Sequence, residues 1–147
     1  MKKLYLDTSV ISALFDERTP ERMEMTKKAW EQIKNYDVCI SEVVVEELQM
    51  AKPELLDKFN NAIKDFKILD TTNEAQELAN FYVAQDIFPM KYYDDALHVA
   101  ICSVNDIGLL LSWNFKHLVK VKTRRMVSAV NVFKDYVPVE IIAPPEL

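Results

Sequence analysis

At 147 residues the chain has room for one hydrophobic core but not for two ordinary domains, so its features are expected to belong to a single domain spanning residues 1–147. Half of its residues are hydrophobic and 28% are charged, a mixture that fills an apolar interior beneath a wettable surface and argues against disorder. The formal net charge of −5 argues against a uniformly basic nucleic-acid coat, because such binding draws its affinity from neutralised phosphates, although a local basic strip is still allowed.

Lys3 to Leu6 is a short apolar run that stops on Asp7, the pattern of a buried strand in a parallel sheet, and Thr8 and Ser9 suit the start of a helix. Pro20 opens a longer helix, with Met23, Ala29, Trp30 and Ile33 at helical spacing, that ends near Asn35. Val38 to Ile40 reads as a second strand. Ser41 is placed to cap the helix that follows, whose inner face holds Val44, Val45 and Leu48. A helix from Pro53 through Ile63, a strand over Phe66 to Leu69 and a helix over Glu74 to Ala84 come next.

Asp94 to Val104 is a helix apolar on more than one side and is therefore expected at the centre of the molecule. Gly108, the only glycine, precedes a strand over Leu109 to Ser112 and is expected to permit the turn into it. A helix over Thr123 to Phe133 and a strand over Val139 to Ile142 complete the series. Strands alternating with helices at this spacing predict an α/β fold with a largely parallel sheet and helices on both faces. In such sheets ligands bind outside the carboxyl ends of the strands, where strand order reverses.

Chemistry-bearing residues fall at that edge. Asp7 ends the first strand, where a carboxylate after Leu4, Tyr5 and Leu6 is costly to bury without a cation, although it also suits a helix N-cap. Glu46 and Glu47 follow the second strand, Asp94 and Asp95 open the apolar helix, and Asn114 follows the fourth strand; solvent exposure, dipole complementation and a turn are the ordinary explanations. Several hard oxygen ligands at one edge suit Mg²⁺ or Mn²⁺, and an ion that keeps its waters and binds substrate phosphates points to phosphodiester chemistry.

His98 and His117 lack the spacing of a zinc site, and His98 reads as a core residue. One glycine cannot make a phosphate loop, and a thiol nucleophile is a remote alternative. Tyr92, Tyr93, Trp113 and Phe115 flank the acidic positions, as packing residues or as surfaces for base stacking. Lys116, His117, Lys120, Lys122, Arg124 and Arg125 form a basic cluster that reads first as a solvated helix end. Cys39 and Cys102 sit in apolar runs as buried thiols, and no signal or membrane-length segment is evident, so a soluble cytoplasmic protein is expected.

Four blocks of the chain resemble the PIN-domain family, and within it the VapC-like ribonucleases: Leu4 to Val10, Ile40-Ser41 with Glu47-Leu48, Asp95 to Ala100, and Leu111 to Leu118. The resemblance implies a three-layer α/β/α fold with a five-stranded, largely parallel sheet. It also implies an acidic pocket in which Asp7, Glu47 and Asp95 bind Mg²⁺ or Mn²⁺ for hydrolysis of RNA. It selects Glu47 over Glu46 because the matching glutamate precedes Leu48, and Asp95 over Asp94 because the matching aspartate precedes Ala96.

Ser9 and Ser112 would line the pocket; separately, on charge, a basic strip around Lys116, Lys120, Arg124 and Arg125 would guide RNA to it. A homodimer and an antitoxin partner are further implications. Family members commonly have aspartate where this chain has Asn114, which can accept a hydrogen bond but lacks the charge that favours a second metal. That departure motivates an alternative, a catalytically weak or inactive PIN-like module that binds RNA or protein. A phosphate-handling α/β hydrolase of another kind is a more distant third.

Overall fold

The computed structural model describes residues 1–147. Its elements are β1 (Lys3–Leu6), α1 (Thr8–Ala13), α2 (Pro20–Gln32), β2 (Asp37–Ser41), α3 (Glu42–Gln49), α4 (Pro53–Ile63), β3 (Lys67–Leu69), α5 (Asn73–Ala84), α6 (Tyr93–Val104), β4 (Leu109–Leu111), α7 (Val121–Phe133) and β5 (Glu140–Ile142). Short 3₁₀ turns lie at Ile33–Asn35, Met90–Tyr92 and Pro144–Glu146. The five strands pair in parallel in the order β3-β2-β1-β4-β5. Parallel neighbours need a crossover between them, and helices supply each one.

Leu4, Tyr5 and Leu6 on β1 are all fully buried, as are Leu110 and Leu111 on β4. Successive strand side chains point to opposite faces, so this pattern requires cover on both sides of the sheet and defines the α/β/α layering. β1 lies in the middle, and the chain moves outward through β2 and β3 before returning to place β4 on the other flank. Strand order therefore reverses between β1 and β4, which opens a crevice at their carboxyl ends. Truncating Leu6 to alanine at this centre would cost roughly 2–5 kcal/mol.

Eight consecutive residues of α6, Ala96 to Ser103, are buried, which agrees with the central helix predicted from its apolar content. Cys39 and Cys102 are buried free thiols, also as expected. No helix is long and apolar enough to cross a membrane.

Two local expectations are corrected. Ser41 is the N-cap residue of α3 by backbone, but its hydroxyl makes no cap; it lies 2.7 Å from the Tyr5 hydroxyl. The left-handed residue between α6 and β4 is Asp106, at φ 56°, and Gly108 does not have positive φ. Aspartate tolerates that conformation, and a Cβ on Gly108 would meet the Pro138 carbonyl only at an ordinary 3.6 Å.

Candidate metal centre

Asp7 is 4% exposed at the exit of β1 and serves as the N-cap of α1. Its backbone N–H donates to the Leu111 carbonyl at 3.2 Å, which ties the end of β1 to the end of β4. Its carboxylate accepts from Ser9 Oγ at 2.6 Å and the Val10 N–H at 3.3 Å on Oδ1, and from Ser112 Oγ at 2.5 Å on Oδ2. The capping explanation for Asp7 thus holds. Burial still dominates, and the Asp7 carboxyl is pushed up despite the positive influence of His98 and these three donors.

Asp95, in the first turn of α6, is pushed up to about 6. Burial is the largest cause; His98 opposes it, while the negative charges of Asp7, Glu47 and Asp94 add to it. Neither Asp7 nor Asp95 forms an ion pair with any lysine, arginine or histidine. The negative charge of Asp7 therefore adds to that of Asp95 across the crevice, and no direct ion pair neutralises either carboxylate.

Glu47, on α3, behaves differently. Burial alone would raise its carboxyl, but the hydrogen bond and charge of His98, with the Thr8 hydroxyl, outweigh that effect and bring it down. Thr8 Oγ1 donates to Glu47 Oε1 at 3.0 Å, and His98 Nε2 lies 2.9 Å from the same oxygen. Behind His98, Nδ1 lies 2.7 Å from the Tyr5 hydroxyl, which reaches Ser41 Oγ. With Glu47 ionised and accepting only, His98 must donate through Nε2. Its imidazole is held above its ordinary value by Glu47, Asp7 and Asp95, against the opposing effect of burial. Oε2 of Glu47 makes no protein hydrogen bond.

Asn114 joins the cluster through its NH₂ group, which donates to Asp95 Oδ1 at 3.4 Å. Its Oδ1 accepts the His117 N–H at 2.9 Å, so the amide oxygen is committed to the loop. The His117 ring stacks on Tyr92 with centroids 4.0 Å apart.

No three acidic, histidine or cysteine side chains form a preassembled ligand set. The donors nevertheless suit an ion of the Mg²⁺ type, which takes one or two carboxylates and retains water. Asp7 and Asp95 offer unneutralised oxygens, and Glu47 presents its free Oε2. They do not suit zinc, since His98 has both ring nitrogens engaged and neither cysteine lies at the site.

Two hollows adjoin the cluster. A cleft of about 260 Å³ is lined by Glu47, Asp94, Asp95, Lys91, Tyr92 and Tyr93. A groove of about 610 Å³ runs between the α1–α2 connection and α3–α4 and shares Glu47 with that cleft. Lys116, Lys120 and Arg124 line neither: the first two are exposed, and Arg124 lies 3.9 Å from the Glu146 carboxylate. The cations that line these hollows are Lys91 in the cleft and Arg18, Lys52 and Lys58 in the groove. Only Lys91 had a signal in the sequence, its position three residues before the acidic pair.

These features define an α/β/α protein with an acidic crevice at the switch point of a five-stranded parallel sheet. A family model for the PIN domain matches residues 4–116, and the chain belongs to the PIN-domain family. That match ends before α7 and β5, although β5 pairs directly with β4. Among solved structures, the chain resembles one in the crystal structure of VapBC2 from Rickettsia felis bound to a DNA fragment from their promoter. The two are 12% identical with a TM-score of 0.57, over 96% of this chain and 98% of that one, a likeness of fold. No curated protein matches the chain.

Proposed function

We propose that residues 1–147 act as one PIN domain, a cytoplasmic endoribonuclease that hydrolyses RNA phosphodiester bonds with Mg²⁺ or Mn²⁺ held by Asp7, Asp95 and Glu47. PIN domains are generally nucleases, and family membership supplies the reaction class. The observation that carries the reading is the pair of carboxylates, Asp7 buried and Asp95 half-buried, at one strand edge with no direct ion pair to a side-chain cation.

When bound, a divalent ion lowers the pKa of water and neutralises charge developing on the scissile phosphate. The protein's part is positional. Ser9 and Ser112 hold the Asp7 carboxylate, while Thr8 and His98 hold Glu47 through Oε1 and leave Oε2 without a protein hydrogen bond. Asn114 supplies a neutral donor to Asp95 where an aspartate would add a further charge, which favours a single ion. Tyr5 and His98 are positioning residues that act through Glu47.

The chain is further proposed to be a toxin restrained by a small antitoxin and to work as a homodimer; the VapBC2 likeness, one of fold, motivates the first of these. The second reading, a weak or inactive module that binds RNA or protein, rests on Asn114. Purified protein incubated with RNA and Mn²⁺ separates the two. Cleavage that is lost with EDTA and in Asp7→Asn supports the nuclease, whereas RNA binding without cleavage, converted to cleavage by Asn114→Asp, supports the second.

A further inference from the structure

Arg22, on α2, lies over the Trp113 indole, with its guanidinium carbon 4.7 Å from the ring centroid and 5.9 Å from that of Phe115. Two hydrogen bonds set this arrangement. The indole N–H donates to Thr26 Oγ1 at 2.9 Å, and the Thr26 hydroxyl donates to the Arg22 carbonyl at 2.7 Å, pinning the ring to the helical turn that carries the arginine. The guanidinium makes no ion pair with a carboxylate, in a chain of net charge −5. Its donors are held in place and unused.

The two aromatic rings have different environments. Trp113 is 6% exposed and packs; Phe115 is 48% exposed, with its ring at 64° to the indole and 6.1 Å from it. The segment that carries both rings borders the acidic crevice. The Trp113 backbone N–H donates to Ser9 Oγ at 2.9 Å, the same hydroxyl that donates to Asp7, while the side chain of Asn114, between the two aromatics in sequence, donates to Asp95. A ring offered to solvent next to a preset guanidinium matches the two chemical parts of a nucleotide, a base with a π-face and a phosphate that accepts a planar fork.

We propose that Arg22 and Phe115 form a nucleotide subsite in which one unpaired RNA base stacks on Phe115 while Arg22 holds an adjacent phosphate. The subsite rests on the RNA-cleaving reading and gives it a preference for single-stranded segments. Bases within a duplex are already stacked and cannot offer a face to the ring. The indole fixes the guanidinium beforehand, which reduces the entropy lost when phosphate binds.

The test uses a fluorescently labelled single-stranded 2′-O-methyl RNA, titrated by anisotropy in Ca²⁺ and again in EDTA over a range of salt, against the parent, Arg22→Gln, Phe115→Leu and Phe115→Trp. Phe115→Leu should weaken binding about tenfold, and Phe115→Trp should restore it. Arg22→Gln should weaken binding and flatten the dependence of log K on log salt by about 0.7, the loss of one phosphate contact to a single strand. An unlabelled duplex of the same sequence should compete poorly.

Parental affinity in all three variants would overturn the subsite and leave the RNA reading standing. No RNA binding by the parent in either condition would overturn both. A Phe115→Leu change that shifts the oligomeric state in gel filtration but leaves RNA affinity intact would assign the cluster to a protein contact and overturn the proposal.

Discussion

The two ends of α6 join polar clusters of opposite character. Near its C-terminal end, Ser103 accepts from Asn131 Nδ2 at 2.9 Å and donates to the Val99 carbonyl, while Tyr82 donates to Asn131 Oδ1 at 2.5 Å and Asn131 also donates to the Val137 carbonyl. Every group is neutral and has a partner. At its N-terminal end, Asp95 faces Asp7 and Glu47, and the carboxylates outnumber the one imidazole that offsets them. A polar cluster serving the fold closes on itself, because an unmet buried group costs stability; one that leaves negative charge unmet is built for something arriving from outside.

The largest expected contrast comes from removing one group at each end. Asp7→Asn should lower ribonuclease activity by roughly a hundredfold or more, and the metal-free variant should melt no lower than the parent because a buried charge is gone. Asn131→Ala should do the reverse. It strands Ser103, Tyr82 and the Val137 carbonyl, and should cost about 2–4 kcal/mol in chemical denaturation with little change in kcat per folded molecule. If both variants lose stability and activity in proportion, the contrast between the two ends is broken.

The pH dependence of the metal-free protein sharpens the same contrast. Asp95 and Asp7 have raised carboxyls, so they hold protons better in the folded chain than in the unfolded one and weaken the fold as pH rises, Asp95 until about 6 and Asp7 until its own raised folded value. His98, raised as well, stabilises below its ordinary value and loses that contribution as pH rises through its folded value. Glu47, lowered, contributes above its ordinary range and loses that contribution only in acid. Melting in EDTA should therefore occur higher at about pH 5.5 than at about pH 7.5. The difference should shrink in Asp95→Asn, and an unchanged difference would place its origin elsewhere.

A smaller effect is expected at Asn114. Asn114→Asp replaces the donor to Asp95 with a second carboxylate and should cost about 1 kcal/mol of metal-free stability through like-charge repulsion. It should also tighten Mn²⁺ binding. Paired melts with and without Mn²⁺ read both changes, and a destabilisation that Mn²⁺ does not reverse would count against a metal site here.

Much of the fold could be read from the chain because burial on both faces turns parallel strands into continuous apolar runs. Leu4 to Leu6 and Leu109 to Leu111 announce themselves in that way, as does the helix around Val99 to Cys102. The positions at the carboxyl edge followed from those strand ends.

What stayed hidden depends on partners distant in sequence. Tyr5 looks like one more apolar strand residue until its hydroxyl meets His98, 93 positions away. His98 reads as a core histidine, and it is buried and hydrogen-bonded as expected, but its partners place it behind Glu47. The orientation of the Asn114 amide depends on the His117 N–H, a loop detail that residue type does not encode. Gly108 drew attention as the only glycine, while the strained backbone fell on Asp106, which a local side chain can accommodate.

Titration of metal-free protein with Mn²⁺, followed by calorimetry at neutral pH and by the electron spin resonance of the free ion, tests the acidic end of α6 most directly. One Mn²⁺ should bind per chain, with binding lost in Asp7→Asn and Asp95→Asn and retained in Asn131→Ala. Absence of binding by the parent, or undiminished binding by Asp7→Asn, would contradict a metal site at this crevice.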